Sequence, residues 1–135
     1  MATLIDSSLW IDFTRARSPH SVKLFIAPHI LSPDAVLAEP VIFEVLRYAT
    51  DFELPHLQQQ FRLLPTVPTP LTLWDHAAGL GRMCRKQGIT AGAMDLLIAS
   101  TAILHGLELV TFDSDFQNIV NVSNLRLTLL TRPSP

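Results

Sequence analysis

Leu107-Glu108-Leu109-Val110-Thr111-Phe112-Asp113-Ser114-Asp115-Phe116 reads as a buried strand that runs into carboxylates. Leu107 to Phe112 is short, apolar and bounded by Gly106, which suits a strand in the interior of a sheet. Asp113 to Ile119 then reads as a short helix or turn, and Leu127 to Thr131 as a last strand. The start of the chain has the same layout. Thr3 to Ile5 is a short buried strand ending in Asp6, and Ser7 or Ser8 is suited to cap a helix through Trp10, Ile11 and Phe13.

Working outward, Ser18-Pro19 opens a second helix with Val22, Phe25 and Ile26 at helical spacing, and Ser32-Pro33 breaks it. Ala35 to Ala38 is a candidate strand. Pro40 fits a first helical turn, and Val41 to Ala49 continues it. Leu54 to Leu64 is a helix with Leu57, Phe61 and Leu64 on one face. Pro65, Pro68 and Pro70 bracket a short extended segment around Val67. Leu71 to Gln87 is a longer helix closed by Gly88, and Ala93 to His105 a strongly apolar one closed by Gly106. Strands alternating with helices predict an α/β fold with a mainly parallel sheet. A chain of 135 residues is one domain. Its bounds are taken as residues 1–131, with the Pro-rich end 132–135 as a frayed tail.

Four apolar segments each carry an acid. They are Leu4-Ile5-Asp6, Ile42-Phe43-Glu44-Val45-Leu46, Ala93-Met94-Asp95-Leu96-Leu97-Ile98 and the stretch around Asp113 and Asp115. Only 16% of the chain is charged, so the placement carries information. A carboxylate in an apolar setting is costly unless it is paired, hydrogen-bonded or bound to a cation. Asp6 and Asp113 follow strands, and ligands of open α/β sheets bind at the carboxyl ends of strands. Asp95 and Glu44 sit near helix starts, where the dipole and free N–H groups favour acids. Each acid alone has a plainer reading as a helix cap. Four caps, however, need no apolar surroundings.

Carboxylates packed together repel and raise each other's pKa, and a hard divalent cation turns that cost into a binding site. Such an ion positions a water and stabilises the leaving oxygen of an in-line displacement at phosphorus, so phosphodiester cleavage is the matching reaction. His20, His29, His56, His76 and His105 have no metal-ligand spacing and are read as surface or helix-end residues. A net charge of −2 argues against a generally basic nucleic-acid coater. A hydrophobic content of 48% and a mean hydropathy of +0.31 fit a well-buried protein with apolar surface left for a partner. One cysteine, Cys84, excludes an internal disulfide. No apolar run reaches the roughly 18 residues of a membrane span, and no signal peptide opens the chain. A cytoplasmic protein is the expectation.

These segments resemble a PIN-domain ribonuclease of the VapC toxin type, from Leu4 to about Phe116. The motifs that carry the likeness are the strand into Asp6-Ser7-Ser8, then Glu44 with Leu46-Arg47 behind it as in the family's Glu–x–x–Arg pattern. Asp95-Leu96-Leu97-Ile98-Ala99 and Leu109 to Phe116 complete the order. The resemblance implies a three-layer α/β/α fold and an endonucleolytic cut in RNA at a Mg²⁺ or Mn²⁺ site. It implies Asp6 and Asp95 as principal metal ligands, with Asp113 beside them. Glu44 would be a ligand through water or the residue that orients the attacking water. The last position is open between Asp113 and Asp115. It also implies a homodimer, inhibited by a small antitoxin whose tail covers the acidic cleft.

Two other readings compete. A PIN-like interaction module would have lost its acids, which are all present. A phospho-accepting receiver domain wants paired acids after the first strand and a late lysine, whereas Asp6 is followed by serines and no lysine follows Lys86. Among the other polar residues, Glu39 is expected on a strand end or the surface and Asp12 facing solvent. Thr111 is a candidate partner for a carboxylate, and Ser7 a support for a ligand. Arg47 is read as a structural ion pair. Arg85 and Lys86, with Arg82 nearby, read as a solvated helix end. Trp10 and Phe13 suit packing better than base stacking.

Overall fold

The computed structural model describes residues 1–135. Four parallel strands form the sheet in the order β2-β1-β3-β4. They are β1 (Thr3–Ile5), β2 (Ala35–Val36), β3 (Glu108–Thr111) and β4 (Arg126–Leu129). β1 is joined to β2 through α1 (Ser7–Thr14) and α2 (His20–Ile30). The long crossover from β2 to β3 carries α3 (Glu39–Tyr48), α4 (Leu54–Phe61), α5 (Leu73–Lys86) and α6 (Ala93–His105). α7 (Phe116–Val120) returns the chain to β4. The result is a three-layer α/β/α fold with a parallel central sheet.

β1, β2 and β3 are largely buried, while the edge strand β4 is partly exposed. Leu4, Ile5, Leu109 and Val110 are almost wholly inaccessible, as parallel strands covered on both faces require. One core cluster of 27 buried residues joins all layers. Trp10 lies at its centre, edge-on to Phe61 at a ring separation of 5.0 Å. The proline-bracketed segment covers the outer edge of β2. Leu37 N–H donates to Pro65 O and Val67 N–H to Leu37 O, both at 2.8 Å, so the sheet edge is blunted by a single parallel bridge.

Several boundaries differ from the sequence reading. The first helix is capped by Asp6, not by Ser7 or Ser8: the Asp6 side chain accepts from the backbone N–H of Ser8. Both serines are already helical, and their hydroxyls are free for other partners. α4 stops at Phe61 and leaves Leu64 in a turn, because Pro65 disfavours helix before it. β2 is shorter and β4 starts one residue earlier than expected. Glu39 is the exposed first residue of α3, where it suits the helix dipole. Residues 132–135, read as a frayed tail, make contacts: Arg132 Nε pairs with Asp12 Oδ2 at 2.6 Å, and Ser21 Oγ donates to the Ser134 carbonyl. Cys84 is buried and free. No helix is long and apolar enough to cross a membrane.

The order β2-β1-β3-β4 decides where chemistry can sit. The chain leaves β1 to one side and returns at β3 on the other, so the crevice opens between the carboxyl ends of β1 and β3. Asp6 directly follows β1, and Asp113 lies two residues beyond β3.

Candidate active site

Asp6 is buried, at 3% exposure, and its carboxylate is hydrogen-bonded by its sequence neighbours and by Thr111 of β3. Its Oδ2 accepts from Thr111 Oγ1 at 2.7 Å, Ser8 Oγ at 2.8 Å and Ser8 N–H at 3.3 Å. Its Oδ1 receives only a long 3.4 Å contact from Ser7 Oγ, which leaves lone pairs for a cation. Burial pushes the Asp6 carboxyl above the usual carboxylate range, while the hydroxyls of Thr111 and Ser8 oppose the rise.

Ser8 and Thr111 tie the two strand ends together. Ser8 Oγ accepts from Phe112 N–H at 3.1 Å, and Thr111 Oγ1 accepts from Asp113 N–H at 2.9 Å. Asp113 Oδ1 in turn accepts from Asp115 N–H at 2.9 Å, an Asx turn that fixes the acidic loop. Glu44 comes from α3. Ser7 Oγ donates to Glu44 Oε1, and Arg47 lies 3.9 Å from Glu44 Oε2, one turn on. Arg47 is thus the ion-pair residue its spacing indicates.

Asp95 is half-buried in the first turn of α6. Burial lifts its pKa from 3.8 to about 7, and the charges of Asp113, Asp6, Glu44 and Asp115 add to the rise. Its carboxylate oxygen lies within 4.8 Å of one from Asp113 and one from Asp115. No lysine or arginine forms an ion pair with any of these three.

Asp6, Glu44, Asp95 and Asp113 line one cleft of about 320 Å³. Asp115 belongs to the group with Asp95 and Asp113 but is exposed and does not line that cleft. The donor set is all carboxylate oxygen, as Mg²⁺ and Mn²⁺ prefer, and it is short of positive charge. The residues present fit a hard divalent cation. His76 bonds Ser100, with Nδ1 and Oγ 2.8 Å apart, and His105 Nε2 lies 2.7 Å from Pro68 O, so neither takes part.

The model of the family described as PIN domain matches residues 3–121, which hold three of the four strands and every acid above. The chain belongs to this family, among its VapC-type ribonucleases. The VapC ribonuclease Mb1587 of Mycobacterium bovis is 33% identical to it, with 91% of this chain and 95% of the relative covered. Ribonuclease VapC11 of Mycobacterium tuberculosis matches at the same identity and coverage. In structure, this PIN domain is similar to DNA-bound VapBC from Salmonella typhimurium, with a TM-score of 0.73 at 16% identity over 95% of this chain and 98% of that one. VapBC-1 of nontypeable Haemophilus influenzae gives 0.72 at 18% identity, covering 96% of this chain and 98% of that one. At such identities the likeness concerns the fold.

The PIN-domain cleft also holds four residues to which the sequence gives no part in the site. Asp12, Arg15, Tyr48 and Arg132 share the lining with the acids. Asp12 was expected to face solvent, yet it is held by Arg132 across 120 residues of chain. No local pattern announces a pair so distant. Arg82, Arg85 and Lys86 line neither this cleft nor the larger one beside it.

Proposed function

We propose that this protein is a Mg²⁺- or Mn²⁺-dependent endoribonuclease, acting as the toxin of a toxin–antitoxin pair. The observation that carries the proposal is the convergence of Asp6, Glu44, Asp95 and Asp113 in one cleft, where Asp6, Asp95 and Asp113 have no ion-pair partner. The ribonuclease names of the relatives support RNA as substrate. Structural neighbours that are toxin–antitoxin complexes support a small antitoxin as partner. A cytoplasmic location fits such a pair.

In this reading Asp6, Asp95 and Asp113 would hold the ion, and Asp115, whose carboxylate lies within 4.8 Å of those of Asp95 and Asp113, would add negative charge to the site. A bound ion supplies a polarised phosphate, an activated water and a stabilised leaving oxygen. Ser7 and Arg47 hold the Glu44 carboxylate in place, so that it orients the attacking water from the α3 side. Ser8 and Thr111 keep Asp6 and Asp113 at a constant separation while charge develops at phosphorus. A homodimer is also proposed. Phe43 and Trp74, 58% and 66% exposed on one shallow cleft, support an apolar association face.

The test is incubation with single-stranded RNA. Cleavage with Mg²⁺ or Mn²⁺ that stops in EDTA is expected, together with growth arrest on expression. Cleavage that persists in EDTA would remove the metal mechanism, and a chain that cuts no RNA under any divalent ion would leave a binding module.

A further inference from the structure

The acid cleft shares part of its lining with a second cleft of about 1030 Å³. Asp12, Arg15, Tyr48 and Arg132 line both. The larger cleft is bounded by the turn after α1, the start of α4 and the C-terminal residues. Its lining sets charged side chains among apolar surface, and its charges are not evenly spent. The acids Asp12 and Glu53 are engaged: Asp12 by Arg132, and Glu53 by Thr50 N–H at 3.0 Å. Arg15 and Arg17 are exposed and form no ion pair.

Two aromatic rings stand among these arginines. Tyr48 is 58% and Phe52 79% exposed. Tyr48 is braced: Arg47 donates to its hydroxyl at 2.8 Å and lies 4.6 Å over its ring. Arg132 is braced too, with its guanidinium 4.6 Å over Phe112 and its Nε on Asp12, at the junction of the two clefts. An endonuclease cuts inside a strand, so the chain flanking the cut must leave the acids along some surface. Guanidinium groups on phosphates and an aromatic face under a base are the means by which proteins hold single strands.

We infer that the larger cleft holds the single-stranded RNA flanking the cut, with Arg15, Arg17 and Arg132 on its phosphates and Tyr48 under a base. The inference rests on the ribonuclease reading of the acid cleft and adds to it the path of the substrate. It makes Arg132, in what the sequence presents as a tail, a substrate-positioning residue. It also gives an overall acidic protein a local basic surface where RNA needs one.

The test is the kinetics of Mn²⁺-supported cleavage of a labelled single-stranded oligoribonucleotide across a salt series. Arg15→Gln, Arg17→Gln and Arg132→Gln should each raise KM by about 5- to 10-fold while kcat stays within about 2-fold, because uniform binding is lost. Each should also flatten the slope of log KM against log salt by about 0.7. Tyr48→Ala should raise KM by about 5-fold or more without changing that slope. Arg85→Gln, on α5, serves as the unaffected control. Should Arg132→Gln melt early through loss of its Asp12 pair, Arg15→Gln and Arg17→Gln carry the test, since neither residue forms an ion pair. Wild-type cleavage with wild-type KM and salt slope in every cleft variant would overturn the inference and leave the cleft to a peptide partner. Absence of cleavage by the wild type would instead sink the ribonuclease reading itself.

Discussion

Asp95 keeps its proton to about pH 7 because it is half-buried and faces Asp113, Asp6, Glu44 and Asp115. Its pKa in the unfolded chain is near 3.8, so between the two values the folded protein holds a proton that the unfolded chain has lost. Stability of the metal-free protein therefore falls as pH rises through this window and recovers as pH is lowered towards about 4, below which both states are protonated. Asp95→Asn should weaken that dependence, leaving the part owed to the buried Asp6, and stabilise the metal-free protein at pH 8 by on the order of 1 kcal/mol, after discounting for solvent screening. A melting series from pH 4 to 8 in EDTA, roughly spanning the titration, reads the slope directly. A wild-type protein that melts higher as pH rises from about 5 to 8 in EDTA would contradict it. Thr111 is the second residue on which the site depends, since its hydroxyl donates to Asp6 and accepts from Asp113 N–H. Thr111→Val should cost about 1–2 kcal/mol in stability, and lower metal affinity or activity by about 10- to 100-fold. Wild-type cleavage in Thr111→Val would place the two strand ends under other control. The acids were legible because scarce charges in apolar segments stand out. The hydroxyl ties are only half legible: Thr111 and Ser7 follow from their places beside the acids, but Ser8 in the role of a bridge depends on β1 and β3 lying side by side.

Among the elements, α6 carries the most. It places Asp95 at its start and buries Ile98, Ala99 and Ala102 behind it. It packs so closely on α5 that a Cβ added at Gly81 would meet Leu96 Cδ1 at 3.0 Å. The helix ends at Gly106, with φ at 65°, and the next residues enter β3 at once. Gly106→Ala forces an L residue into the left-handed region, so it should cost about 1 kcal/mol, and lower the melting temperature by about 3 °C. Metal-dependent cleavage should be unaltered, because Gly106 lies at the opposite end of α6 from Asp95. A loss of cleavage at unchanged stability would contradict this division. Helices with an apolar face and a glycine stop, such as α5 and α6, were readable from periodicity. The two-residue β2 and the edge bridge at Leu37 were less so, because they owe their form to strand neighbours.

For the whole molecule, the sheet order brings acids from both ends of the chain to one crevice, and the C-terminal Arg132 to its rim. Apolar strands before Asp6 and Asp113 made the first convergence foreseeable. The second was not, since Asp12 and Arg132 meet only after β4 has been laid beside β3. A cation bound by the native state alone should raise stability, by about 2.7 kcal/mol at a hundred times its dissociation constant. Mn²⁺ should therefore raise the melting temperature of the wild type and leave that of Asp95→Asn little changed. Equal shifts in both would place the ion elsewhere. The most direct measurement compares cleavage of single-stranded RNA by the wild type and by Asp95→Asn, with Mn²⁺ and with EDTA. Cleavage by the wild type in Mn²⁺ alone, reduced by about 100-fold or more in Asp95→Asn, is the predicted result. Equal cleavage by the two proteins, or cleavage in EDTA, would contradict it.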